Sequence, residues 1–223
     1  MSILNILSWV IPILVAVICH EIAHGYVAYK LGDNTAKLEG RLSFNPIKHI
    51  DMVGTIIFPA LLLVTNAGFM FGWAKPVPVN FRKLINPKRD MMFVAAAGPL
   101  SNIIIAIISL LFLRYYGFDS RILFDVFLSH IIINMIMINV ILAVFNLMPF
   151  PPLDGSKIVM GLLPNKLAVK YASLEKYGLH IIFALLVIIP YIGNAFGMNW
   201  DVLGGFVTNL SAHFTDFLFS LVA

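Results

Sequence analysis

The chain has 223 residues, of which 60% are hydrophobic and 12% charged, and its mean hydropathy is +0.93. A soluble domain is close to half apolar and about a quarter charged, so this composition excludes an ordinary water-soluble domain and points to a protein dissolved in lipid. The net charge of +4 sits in a few loops, which reads as membrane topology and excludes nucleic acid as a partner, and the single cysteine, Cys19, excludes a disulfide framework or a Cys-rich metal site.

A bilayer core takes about 20 apolar residues as helix. Residues 3–29 supply a first span. No Lys or Arg precedes it and no small-residue cleavage site follows, so it is expected to be retained and not removed as a signal peptide. Residues 53–71 are apolar but broken by Gly54, Pro59 and Gly68. Residues 91–113 and 128–148 give a second and a third span, and 179–198 a fourth, in which Pro190 is expected to make a kink. The last stretch, 202–222, sets Phe206, Leu210, Phe214, Phe217 and Leu221 on one face and reads as an interfacial helix.

Lys and Arg fall in three loops, 30–50, 72–90 and 155–177, which by the positive-inside rule share the cytoplasmic side. The loops before and after 53–71 share a side only if that segment dips into the membrane and returns, shielded by protein or water.

The first span is interrupted by His20-Glu21-Ile22-Ala23-His24, the pattern HExxH. On a helix the two histidines project from one face, spaced to hold one Zn²⁺, with the glutamate between them placed to act on a water at the metal. Plain hydrogen-bonding histidines are the alternative, but ionisable groups inside a span are costly and usually functional. A catalytic zinc site takes a third protein ligand. Asp33 and Glu39 follow the histidines too closely to fold back easily, and His130, His180 and His213 read as helix-end or interfacial residues. Asp154 is the best candidate. It lies in NLMPFPPLDG, where three prolines stop the helix and Gly155 permits a tight turn. Its competing reading is an N-cap for a helix starting at Ser156. His24 and Asp154 reach one side of the membrane only if an even number of crossings separates them, which again requires 53–71 to return.

HEIAHGYVAYKLGD, FGWAKPVPVN, AGPLSN and NLMPFPPLDG occur in that order. Together they resemble the site-2 protease family of intramembrane zinc metalloproteases, in a short form without a PDZ domain, over roughly residues 17–178. The resemblance implies a three-helix catalytic core, one zinc per chain held by His20, His24 and Asp154, and Glu21 as general base. It also implies that Asn146 lies near the scissile carbonyl. FGWAKPVPVN is similar to family segments that form β-structure between the first two core helices; its alternating prolines suit an edge strand, with a plain connecting loop as the alternative. AGPLSN reads as close helix packing, with Asn102 a candidate polar contact in the cavity.

The expected fold is therefore an all-α polytopic membrane protein. It forms a single membrane-embedded domain over 1–223, with its core at 3–155 and C-terminal helices at 156–223. The bundle has about 4–5 transmembrane helices, with a re-entrant, β-containing loop between the first two core helices. The expected activity is hydrolysis of peptide bonds in or near transmembrane segments of membrane proteins. The partners are a transmembrane protein or peptide substrate and membrane lipid, and the site opens toward the cytoplasmic side of the cell membrane. A metal transporter would need further acids along a pathway and an internal repeat; spans 91–113 and 179–198 contain no acid. A zinc-keeping scaffold without activity is the third reading.

Overall fold

The computed structural model of the chain describes residues 3–57, 60, 64, 72–198 and 200–222. Helix α1 (Ile3–Lys30) is followed by a short α2 (Thr35–Leu38), then by α3 (Pro87–Tyr115) and α4 (Leu123–Asn146). After α4 come α5 (Asp154–Leu162), α6 (Asn165–Ala172), α7 (Glu175–Phe183), α8 (Ile189–Ala195) and α9 (Val202–Val222). Four helical stretches are long and apolar enough to cross a membrane: Ile3–Lys30, Pro87–Tyr115, Leu123–Asn146 and Glu175–Ala195. The chain is a multi-pass membrane protein, and its described residues form helices and no strand.

The core is α1, α3 and α4, each packed on the other two, with α5 against α3 and α9 against α4. Much of what α1 and α3 bury is small or polar. In α1 the buried row is Ser8, Pro12, Ala16, His20, His24 and Ala28, spaced by four residues. In α3 it is Asp90, Val94, Gly98, Asn102 and Ala106 at the same spacing. Large apolar residues such as Ile3, Trp9, Ile13, Ile104 and Ile108 face outward. This is the arrangement a bilayer favours. Lipid tails are as apolar as leucine, so helices associate through close approach and interhelical hydrogen bonds.

The span at 179–198 is less regular than a single proline kink. A π-helical turn, Ala184–Ile188, joins α7 to α8 just before Pro190, so the helix is disturbed ahead of the residue that lacks an N–H. Helix α9 does not lie flat. Leu203 and Val207 pack with Met148 near the end of α4, and Leu218 packs with Leu110, Ile136 and Val140, so α9 runs antiparallel along α4. Of the five residues on its apolar face, Phe214 packs inward and Phe206, Leu210, Phe217 and Leu221 are exposed.

Most of 53–71 lies outside the described residues. Its two ends meet: Trp73 N–H donates to the Gly54 carbonyl (3.1 Å), and the Thr55 hydroxyl donates to the Trp73 carbonyl (2.8 Å). A segment that returns to its own side of the membrane requires such a junction. The edge strand expected in FGWAKPVPVN is absent from its described residues, 72–80, where the backbone is extended but pairs with no strand. Pro76 and Pro78 carry no N–H, and the donors between and beyond them go elsewhere. Lys75 N–H bonds the His49 carbonyl, Val77 N–H the Glu21 carboxylate and Asn80 N–H the Asp33 carboxylate. The plain-loop alternative is the one that forms.

Candidate metal centre

The site lies where the C-terminal part of α1, the N-terminal part of α3 and the junction of α4 with α5 meet. His20 and His24 are both buried and project one turn apart from α1. Their Nε2 atoms are 3.0 Å from each other, and Asp154 Oδ2 is 3.1 Å from one and 3.2 Å from the other. Asp154 is the first residue of α5, so its carboxylate sits at the favourable N-terminal end of that helix. The N-cap is Leu153, and Asp154 does not cap a helix starting at Ser156. Gly155 serves a different purpose from the expected turn. It is helical, and a Cβ there would collide with the carbonyl oxygens of Leu147 and Met148. Its bareness lets α5 start hard against the end of α4.

Hydrogen bonding fixes what the three groups present to one another. His20 Nδ1 lies 2.7 Å from Asn102 Oδ1, and His24 Nδ1 lies 2.7 Å from the Val94 carbonyl. Both partners accept, so each Nδ1 carries a hydrogen, and each neutral ring turns its Nε2 lone pair inward. Asp154 Oδ2 is buried and has no hydrogen-bond donor among the described residues. With both rings neutral, three acceptors converge, an arrangement that favours a shared cation. A tetrahedral zinc about 2.0–2.1 Å from each donor would need donor separations of about 3.3–3.4 Å, a few tenths of an ångström more than those seen. Gly98 keeps the space open: an alanine Cβ would lie 2.6 Å from His20 Nε2 and closer still to His24 Nε2. The residues fit the ion. Gly98→Ala is expected to weaken zinc binding by more than about tenfold while α3 stays helical, measured by chelator competition and circular dichroism.

Glu21 and Asn146 line the same cavity of about 290 Å³, together with Val77, Phe81 and Lys157. Glu21 Oε2 accepts the Val77 N–H at 2.7 Å, which leaves Oε1 for other work. Asn146 donates one N–H to the Leu142 carbonyl (3.0 Å) and keeps its other amide hydrogen and its oxygen for the cavity. Glu39, His130, His180 and His213 join no such cluster among the described residues. The sequence profile of peptidase family M50 matches residues 118–189. YwhC of Bacillus subtilis, provisionally named a zinc metalloprotease, is 43% identical over 184 residues, covering 81% of this chain and 80% of YwhC. The chain belongs to peptidase family M50. That is the site-2 protease family of intramembrane zinc metalloproteases, which the four motifs resemble, and zinc is its metal. Rip2 of Mycolicibacterium smegmatis, also provisionally named a zinc metalloprotease, is 26% identical over 83% of this chain and 67% of its own length. The zinc metalloprotease MJ0392 of Methanocaldococcus jannaschii is 26% identical over 70% of this chain and 34% of its own. No solved structure is significantly similar.

Residues outside the expected site set also shape this cavity. The extended segment 72–80 is strapped over it. Arg41 Nη2 donates to the Lys75 and Pro76 carbonyls (2.9 and 3.2 Å). Asp33 accepts from Asn80 N–H (2.6 Å) and from Thr35 N–H (3.0 Å). Burial alone would push the Asp33 carboxyl up, but the Thr35 hydroxyl, the Asn80 and Thr35 N–H groups and nearby Lys83 hold it below the usual carboxylate range. Basic residues in a loop between spans look like topology signals, which is why Arg41 passes unnoticed in the sequence. A sharper signal is the set of amides Asn134, Asn139 and Asn146, which interrupt an otherwise apolar span.

Proposed function

We propose that this M50 protease hydrolyses peptide bonds in or near transmembrane segments of membrane proteins, with His20, His24 and Asp154 holding one zinc ion, Glu21 acting as general base and Asn146 binding the scissile carbonyl. The observation that carries this reading is the closed triangle of two imidazole lone pairs and one carboxylate oxygen, 3.0–3.2 Å apart, with no donor for Asp154 Oδ2 among the described residues.

When bound, zinc supplies Lewis acidity, which lowers the pKa of a water to about 7 and polarises a carbonyl. The protein's own groups do the rest. The Val77 N–H holds Glu21 Oε2, so the free Oε1 takes the proton of the attacking water and passes it to the leaving amine. The spare Asn146 amide hydrogen meets the carbonyl oxygen as charge develops on it. Lys157 Nζ, 4.0 Å from Asp154 Oδ1, keeps a positive charge on the far side of that carboxylate.

His20 and His24 precede Lys30, the last residue of α1, by ten and six residues. At 1.5 Å per residue they lie about 15 and 9 Å along the helix from that end. The hydrocarbon core is about 30 Å thick, so the chemistry lies below the lipid surface. Lys30, Arg41, Lys75, Lys88, Lys157 and Lys176 fall in the loops next to the site-bearing ends of the helices, and the positive-inside rule supports a mouth on the cytoplasmic side of the cell membrane. A transmembrane substrate satisfies its own backbone as helix, so the scissile stretch must unwind before attack.

The test is to incubate the purified chain with a panel of single-span membrane proteins, with and without a zinc chelator. Cleavage that stops with chelator and returns with zinc supports the reading. Undiminished cleavage after zinc has been stripped overturns it.

A further inference from the structure

The two metal-site histidines are steadied differently. His24 leans on a backbone carbonyl of α3, Val94. His20 leans on a side chain, Asn102 of α3, which is itself held by Asn139 of α4. Both amides are fully buried, at 0% exposure. The Asn102 amide nitrogen donates to the Ala16 carbonyl (3.1 Å) and to Asn139 Oδ1 (2.8 Å), and the Asn139 amide nitrogen donates to the Met135 carbonyl (2.8 Å).

The ends of this chain determine its direction. A backbone carbonyl only accepts, so the group of Asn139 facing Met135 must be its NH₂, and its oxygen must face Asn102. Likewise the group of Asn102 facing Ala16 must be its NH₂, and its oxygen must face His20. The one nitrogen left opposite that oxygen, His20 Nδ1, must then be an N–H. Two backbone carbonyls, one in α1 and one in α4, thus dictate which nitrogen of His20 is bare.

We propose that Asn102 and Asn139 are positioning residues: a buried two-amide relay that fixes the Nδ1–H form of His20 and aims its Nε2 lone pair at the metal. The relay touches neither substrate nor ion. It acts through His20, and it joins all three core helices at the depth of the site. Its members sit on different helices, so a shift of α4 against α3 would strip Asn102 of one of its two acceptors while leaving His24 on its backbone anchor. The inference rests on His20 being a zinc ligand.

The experiment compares wild-type chain in detergent micelles with Asn102→Leu, Asn102→Asp, Asn139→Leu, the double leucine variant and His20→Ala. It measures zinc affinity by chelator competition, the visible spectrum of the cobalt-loaded protein, and folding by thermal unfolding of the metal-free form. Asn102→Leu removes the acceptor and is expected to weaken zinc about 10–100-fold and to alter the cobalt spectrum. Asn102→Asp keeps an acceptor on His20 Nδ1 and is expected to stay within about tenfold of wild type. Asn139→Leu is expected to lose less than Asn102→Leu, because the Ala16 carbonyl still orients Asn102. The double variant is expected to lose no more than Asn102→Leu alone, since the two amides act in series. A folded Asn102→Leu with wild-type zinc affinity overturns the proposal, as does an equal fall in the Leu and Asp variants. If Asn102→Leu does not fold, Asn139→Leu decides: unchanged zinc affinity and cobalt spectrum overturn the relay. His20→Ala separates the two readings. If it keeps zinc at wild-type affinity, the ligand assignment fails and the relay has nothing to aim.

Discussion

Glu21→Gln is expected to leave zinc bound and to lower cleavage of a transmembrane substrate by about 10²–10⁴-fold, the range that general acid–base catalysis contributes. The structure favours so selective an effect. Glu21 lies beside the triangle and not in it, and one of its oxygens is committed to the Val77 N–H. A glutamine can present its carbonyl oxygen to Val77 and set its NH₂ where Oε1 stood. The strap and the cavity keep their shape, while the one atom able to accept a proton is gone. Zinc content by atomic emission and substrate cleavage by gel, measured on the same preparation, check it. Loss of zinc together with activity would make Glu21 a structural support of the metal and not its base. A transporter would keep moving metal after this change, and an inactive scaffold would show no cleavage even as wild type.

The histidine pair and its distant carboxylate are legible in the sequence because the membrane makes them conspicuous. His20, Glu21 and His24 interrupt an apolar run where ionisable groups are costly, and the three prolines and the glycine around Asp154 mark it as the candidate third ligand. The same solvent hides the packing. In water the apolar stripe of a helix marks its buried face; in lipid an apolar stripe is as content outside. Read by the aqueous rule, Phe206, Leu210, Phe217 and Leu221 mark the buried side of α9, yet they point outward, while Leu203, Val207, Ser211 and Leu218 do the packing. The buried rows of α1 and α3 are visible only as small or polar residues at intervals of four, a faint pattern beside the surrounding isoleucines.

The strap was illegible for another reason. Its prolines announce extended backbone but not the partners of the remaining N–H groups. Val77 finds a carboxylate 56 positions away and Asn80 one 47 positions away. Nothing local to 72–80 encodes those pairings; they follow from α1 and the loop after it arriving at the same end of the bundle. Gly98 and Gly155 are similar. Both look like ordinary helix-packing or turn glycines in the sequence. Their roles, clearing the space between two imidazoles and admitting the α4 carbonyls, depend on which helices meet there.

Asp154→Asn is expected to reduce zinc affinity by more than about 100-fold and to abolish cleavage, while the metal-free protein unfolds as wild type does. The amide has nearly the same size as the carboxylate and begins α5 in the same place, so the contact of Gly155 with the end of α4 is preserved. The charge that draws a cation between two lone pairs is lost. His20 and His24 keep their Nδ1 partners on Asn102 and Val94, so both imidazoles stay aimed, and two neutral nitrogens remain where two nitrogens and an anion stood. Zinc binding stabilises the fold by RT ln(1 + [Zn]/Kd), so the rise in unfolding temperature on adding zinc should shrink in the variant while the zinc-free baseline is unchanged. A lowered baseline would mean that Asp154 supports α5 itself. An undiminished zinc-dependent rise would mean that the carboxylate does not hold the ion.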